Sequence, residues 1–139
     1  MTTQLLANID VDDLARGIDF YCRALQLTVS RRLGNAVVEL SGASANLYLI
    51  EKPGGSVASA ASSQRRDYSR HWTPVHLDFI VPEIEAAVTR AREAGATLEG
   101  EIRVHRWGRI AVLADPFGNG FCLIEFLGRG YDEIATRPG

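Results

Sequence analysis

Two stretches of this chain run through the same order of apolar and polar positions. Leu5-Leu6-Ala7-Asn8-Ile9-Asp10-Val11 is dominated by apolar and β-branched side chains and predicts a strand over residues 4–11. Acidic residues follow, and Asp12 is placed to cap a helix whose apolar stripe is Leu14, Ile18, Tyr21 and Leu25. Stretches around 28–33, 36–41 and 45–51 then read as three strands, with Gly34-Asn35 suited to a tight turn because both residues tolerate positive φ. The plan returns at Val75-His76-Leu77-Asp78-Phe79-Ile80-Val81, which predicts a strand over 75–81. Pro82 suits the first turn of a second helix with the stripe Ile84, Val88 and Ala91, and Gly95 is its natural stop. Strands are predicted around 101–107, 109–114 and 120–126.

Strand, helix and three strands, given twice, is one supersecondary unit used as a repeat. It predicts an α+β fold of paired βαβββ modules. Each mixed sheet carries a helix on one face and leaves the other to pack or to line a cupped crevice. Module one spans about 4–52, a linker about 53–72, module two about 73–127 and a tail 128–139. The linker is rich in Gly, Ser, Ala and Arg without periodicity, and is expected to be a mobile flap open to cleavage near Arg65 or Arg66. In the tail, Tyr131 and Ile134 are the residues able to dock it onto the body.

Composition narrows the function. At 139 residues, 46% hydrophobic and 23% charged, the chain is expected to form one globular domain with a real core. A net charge of −2 without a basic stripe argues against nucleic acid as a partner. Cys22 and Cys122 fall in a predicted helix and strand, so the cysteines make no disulfide framework and a reducing compartment fits. No basic start leads into an apolar run and no stretch approaches a membrane span, so the protein is expected to be cytoplasmic, with no membrane partner.

With that order in place, three motifs resemble the vicinal oxygen chelate superfamily, which includes glyoxalase I, bleomycin-resistance proteins, fosfomycin-resistance enzymes and extradiol dioxygenases. They are Phe20-Tyr21 before Ala24-Leu25-Gln26-Leu27, Ala94-Gly95-Ala96 after the second helix, and Ala114-Asp115-Pro116-Phe117-Gly118-Asn119-Gly120-Phe121. The tail Gly128-Arg129-Gly130-Tyr131-Asp132 resembles metal-poor, glyoxalase-like members. The resemblance implies a homodimer. In metal-dependent members each module supplies ligands from its first and last strands, and the matching positions here are Leu6, Tyr48, His76 and Cys122. Leu6 has no donor atom, Tyr48 is a poor ligand, and Cys122 stands where the family usually has a glutamate. His76 is therefore the only plausible ligand, and no resident metal or other cofactor is expected. Glu51 and Glu125, three residues beyond Tyr48 and Cys122, point to the opposite faces of their strands.

The ligand-binding candidates are Tyr48, His76, Asp78, Trp107 and Cys122. His76 and Asp78 alternate on one strand face, so the carboxylate is placed to orient the imidazole. Cys122 reads as a buried, inert thiol, since no cation or helix N-terminus is in view to activate it. His105 and Trp107 alternate on a predicted strand bordering the crevice, where a tryptophan can stack on a planar ligand. His71 and Trp72, at the linker's exit, are placed to cover a pocket mouth. Asp115 to Gly120 lacks the Lys and Ser/Thr of a phosphate loop and reads as a turn. Two functions stay open: a metal-independent module binding a small apolar or aromatic molecule, and a divalent-metal-dependent glyoxalase-type lyase/isomerase or dioxygenase using His76.

Overall fold

The structure, a computed structural model, describes residues 1–136; the last three residues of the predicted tail lie outside the described residues. Two compact units, residues 1–69 and 70–139, divide the chain within the predicted linker. Each has a mixed sheet and one α-helix among the described residues, so the fold is α+β.

In unit 1, strands β1 (Ala7–Val11), β2 (Thr28–Leu33), β3 (Val37–Ser41) and β4 (Leu47–Glu51) form a sheet of order β1-β4-β3-β2. β1 runs parallel to β4 and the other pairs are antiparallel. β1 begins at Ala7 rather than residue 4, because its ladder with β4 begins at the Ala7–Leu47 pair. Leu5 and Leu6, without a partner strand, are exposed. Helix α1 (Leu14–Leu25) is capped by Asp13, not Asp12: the Asp13 carboxylate accepts from the Arg16 N–H at 3.0 Å. Its buried stripe of Leu14, Phe20, Tyr21 and Ala24 covers the sheet face that carries Val11, Val38, Leu40, Leu47 and Leu49. Gly34, at φ 70°, makes the turn between β2 and β3.

Unit 2 repeats the plan. Strands β5 (Leu77–Ile80), β6 (Thr97–Leu98), β7 (Arg103–Val104), β8 (Gly108–Ala114) and β9 (Gly120–Phe126) form a sheet of order β5-β9-β8-β6, with β7 also pairing β8. β5 is parallel to β9. Helix α2 (Ile84–Ala94) closes on Gly95 as the sequence predicts. The strand predicted over 101–107 is a correction. Only Arg103 and Val104 pair there, and the chain turns back over His105–Gly108, with the His105 N–H on the Gly108 carbonyl at 2.8 Å. His105 and Trp107 therefore sit in a hairpin turn instead of alternating along a strand.

The Asp115 turn joins β8 to β9 as the sequence predicts. Its buried carboxylate accepts from the Phe117 and Asn119 N–H groups at 2.8 and 2.9 Å, and from the Asn119 side-chain amide at 2.9 Å. In the tail, a short 3-10 helix (Gly130–Glu133) brings Tyr131 against Trp107 and Phe126, with ring centroids 5.1 and 4.8 Å apart.

The predicted linker carries local structure of its own. Residues 53–68 form a hairpin in which Val57 bridges Arg65, and the Arg66 carbonyl and N–H bond Gly55 and Ser56 at 2.8 Å each. Arg66 further donates to Asp10 at 2.6 Å and to the Val57 carbonyl at 2.7 Å. The Gly/Ser/Ala composition hid this because the hairpin rests on backbone and Arg66 hydrogen bonds, which leave no apolar period in the sequence.

Candidate functional site

Strand parity sorts each sheet into a helix-covered face and a free face. In unit 1, Glu51 shares parity with Leu47 and Leu49, and its carboxylate accepts from the Leu14 N–H at 2.7 Å, the first orphan donor of α1. In unit 2, Glu125 does the same for α2, accepting from the Ile84 N–H at 2.9 Å. Both glutamates therefore face the helices. Tyr48 and Cys122, three residues earlier, lie on the free faces.

On the free face of unit 1, Tyr48 sits opposite Glu39, and Glu39 opposite Arg31. Glu39 is only 6% exposed, between the buried Val38 and Leu40. A carboxylate so placed needs partners. Arg31 grips it with two bonds, Nε to Oε1 at 2.9 Å and Nη2 to Oε2 at 3.0 Å. Tyr48 donates its hydroxyl to Oε2, and Ser30 donates to Oε1 at 2.8 Å. Ser30 reaches because β2 has a bulge between Val29 and Arg31, which sets two residues of β2 against one of β3.

The Arg31 guanidinium first, then the Tyr48 and Ser30 hydroxyls, hold the Glu39 carboxyl down to about 2 from an ordinary 4.5. A depressed carboxylate stabilises the fold above its unfolded value and loses that contribution as pH falls through the folded one. The part of the acid-unfolding curve between about pH 4.5 and 2 should therefore flatten in Glu39→Gln. Identical acid limbs for the two proteins, followed by circular dichroism, would show that Glu39 is not a linked group.

On the free face of unit 2, His76, Asp78 and Cys122 come together, with one donor atom from each lying within 4.8 Å of the others. Asp78 and Cys122 are paired across β5 and β9. The His76 Nδ1 is 3.0 Å from Asp78 Oδ1, so the carboxylate does orient the imidazole. Cys122 is buried, and burial above all, then the charge of Asp78 and a hydrogen bond to it, pushes its thiol up to about 12. It stays a thiol at neutral pH and is no nucleophile.

Trp72 packs beside this group, its ring centroid 4.8 Å from that of His76 and 5.4 Å from the Arg70 guanidinium. Gly120 makes room for it, since a Cβ there would overlap the Trp72 ring. Arg70 is itself fixed by two bonds of 2.6 Å to Glu99. Trp107 is placed elsewhere in the unit, stacked on His105 at 5.2 Å and against Tyr131.

The structure thus gathers three of the five sequence candidates, His76, Asp78 and Cys122, in one cluster. Sequence reasoning missed Glu39, Arg31 and Ser30. The available signal was a glutamate inside the apolar run Val37-Val38-Glu39-Leu40, one strand after an arginine pair.

Comparison with known proteins agrees with this architecture. The model of a family described as a glyoxalase-like domain matches residues 7–124. An uncharacterized protein of Mycobacterium bovis is 29% identical over 122 residues, covering 86% of this chain and 80% of that protein. A glyoxalase/bleomycin resistance protein/dioxygenase family enzyme from Burkholderia phytofirmans superposes with a TM-score of 0.69 at 21% identity, covering 88% of this chain and 97% of that one. An antibiotic-binding protein from a Streptomyces species superposes with a TM-score of 0.64 at 21% identity, covering 91% and 98%. At these identities the two structures speak for the fold. Among the described residues, no helix is long and apolar enough to cross a membrane.

Proposed function

The chain belongs to the glyoxalase-like domain family, and from that premise we propose that it binds a small apolar or aromatic molecule on its helix-free sheet faces, without a resident metal. The observation that carries this is in unit 1. Of the two positions that the resemblance marks for metal ligands, Leu6 has no donor atom and Tyr48 has its hydroxyl committed to Glu39. The Tyr48 ring on the free face of unit 1 offers stacking area, and the His76 imidazole on that of unit 2 offers stacking area with a polar handle, which suits recognition of a planar molecule by either face. The antibiotic-binding description of the Streptomyces structure supports small-molecule binding. The reading has the protein acting in the cytoplasm, and as a homodimer, as the resemblance implies; light scattering on the purified protein checks the dimer.

A thermal-shift screen with planar aromatic compounds tests the binding. His76→Ala should weaken a hit bound by unit 2, and Tyr48→Ala one bound by unit 1, by about 1–2 kcal/mol, the scale of a lost aromatic contact or hydrogen bond. Tyr48→Phe, which keeps the ring, should bind nearly as wild type. Hits that bind all variants equally would place the ligand away from these residues.

One observation favours a second reading, a divalent-metal enzyme of the lyase/isomerase or dioxygenase kind. His76, Asp78 and Cys122 offer an imidazole nitrogen, a carboxylate oxygen and a sulfur close together. That donor set suits zinc better than manganese, although the Cys122 thiol would have to give up its proton. A bound ion would supply Lewis acidity toward a ligand oxygen. Elemental analysis of protein purified without chelator separates the readings: no stoichiometric metal is expected, and about one zinc per chain, lost in His76→Ala, would establish the second.

A further inference from the structure

We infer that His76 is held as a hydrogen-bond acceptor with its Nε2 open to the ligand, so that unit 2 selects planar molecules bearing an aromatic hydroxyl. The inference rests on the small-molecule reading above and deepens it by naming the ligand class.

A carboxylate only accepts hydrogen bonds, so the 3.0 Å contact between Asp78 Oδ1 and His76 Nδ1 places the imidazole proton on Nδ1. In a neutral imidazole with Nδ1 protonated, Nε2 carries a lone pair. Nε2 makes no hydrogen bond among the described residues, and the His76 side chain keeps about a third of its surface open to solvent. It is thus an accessible acceptor.

Trp72 fixes the remaining freedom of the ring. Asp78 sets the rotation of the imidazole in its plane, and the Trp72 indole, 4.8 Å away at an interplanar angle of 33°, limits its tilt. Trp72 is in turn seated over Gly120 and beside Arg70. It acts as a positioning residue for His76. An acceptor fixed in this way, beside aromatic surface, discriminates by the ligand's edge. A hydroxyl donates to Nε2, whereas an ether or ketone oxygen at the same place sets two lone pairs against each other and leaves the site's acceptor unpaired.

The experiment compares 2-naphthol with 2-methoxynaphthalene, which have the same ring system with and without the donor, by calorimetric titration. Wild type should bind the naphthol about tenfold more tightly, the worth of one hydrogen bond. His76→Phe, which keeps an aromatic ring beside Trp72, should bind the two probes equally. Trp72→Ala should narrow the preference and Trp72→Phe restore it; a tryptophan that only stabilised the fold would leave the preference unchanged, and that result would overturn its positioning role. Nitrogen-15 NMR of the wild-type imidazole should show the Nδ1-protonated tautomer. Equal affinity of wild type for the two probes, or a proton found on Nε2, would overturn the inference and leave the small-molecule reading standing. Failure of both probes to bind at millimolar concentration would overturn both.

Discussion

Asp115→Ala should lower stability by about 3 kcal/mol, the largest effect expected of any single polar substitution in unit 2. The side chain is 5% exposed and satisfies two backbone N–H groups and the Asn119 amide at 2.8–2.9 Å. Truncation strips these donors of their acceptor inside a turn whose geometry they set, and buried unsatisfied donors cost more than the bonds are worth when formed. The backbone of the same turn also receives the His71 N–H, on the Gly118 carbonyl at 2.9 Å. Its loosening should therefore be felt at the neighbouring Trp72 as well. Urea unfolding of wild type and Asp115→Ala, with Asp115→Asn as the milder comparison, measures this. A loss below about 1 kcal/mol would mean that solvent replaces the carboxylate and that the turn holds itself.

Removing the carboxylate that caps each helix from its sheet should be next in size. Glu125→Ala is expected to cost about 2 kcal/mol and Glu51→Ala about 1 kcal/mol. The order follows from what else caps each helix. α1 has the Asp13 carboxylate on the Arg16 N–H as well as Glu51 on Leu14. The N-cap residue of α2 is Glu83, whose side chain caps nothing, so Glu125 is the side chain that satisfies its first turn. Glu125 also lies 3.7 Å from Arg109, which pairs with Glu85 of α2. Chemical denaturation of both variants checks the sizes, and a larger loss for Glu51→Ala would show that capping is not how these glutamates act.

These two glutamates show how far the sequence could be read. Their distance from Tyr48 and Cys122 puts them on the opposite strand face by parity alone, a local fact. That the opposite face is where the helix starts is not local. It depends on β1 pairing parallel with β4, and β5 with β9, across more than thirty intervening residues in each case, as the registers Val11–Glu51 and Ile80–Ile124 show. The contact of His76 with Asp78 was legible for the same reason as the parity. The approach of Cys122 to both was not, because it is made by the β5–β9 register.

Where local signals were read too far, the cause was pairing. Leu5 and Leu6 have strand-forming side chains but no partner beside them. Residues 101–107 have the composition of a strand, yet the hairpin closes at His105–Gly108 and leaves Trp107 in the turn, against Tyr131. The 53–68 segment lacks any apolar period, and its hairpin is bonded to β1 by Arg66 reaching Asp10.

By itself, then, the sequence determined the repeated strand–helix–strands plan, both helices, the Asp115 turn and the faces on which Tyr48, His76 and Cys122 stand, because these follow from periods of 2 and 3.6 and from turn chemistry within a few residues. Only the tertiary structure decided that Tyr48 is bound to a buried Glu39 that Arg31 and Ser30 also hold, and that His76, Asp78, Cys122 and Trp72 form one group. The physical reason is that a polar side chain's chemistry is set by the partners that satisfy it on burial, and those partners arrive through strand register, a bulge and a parallel pairing that no window of sequence contains.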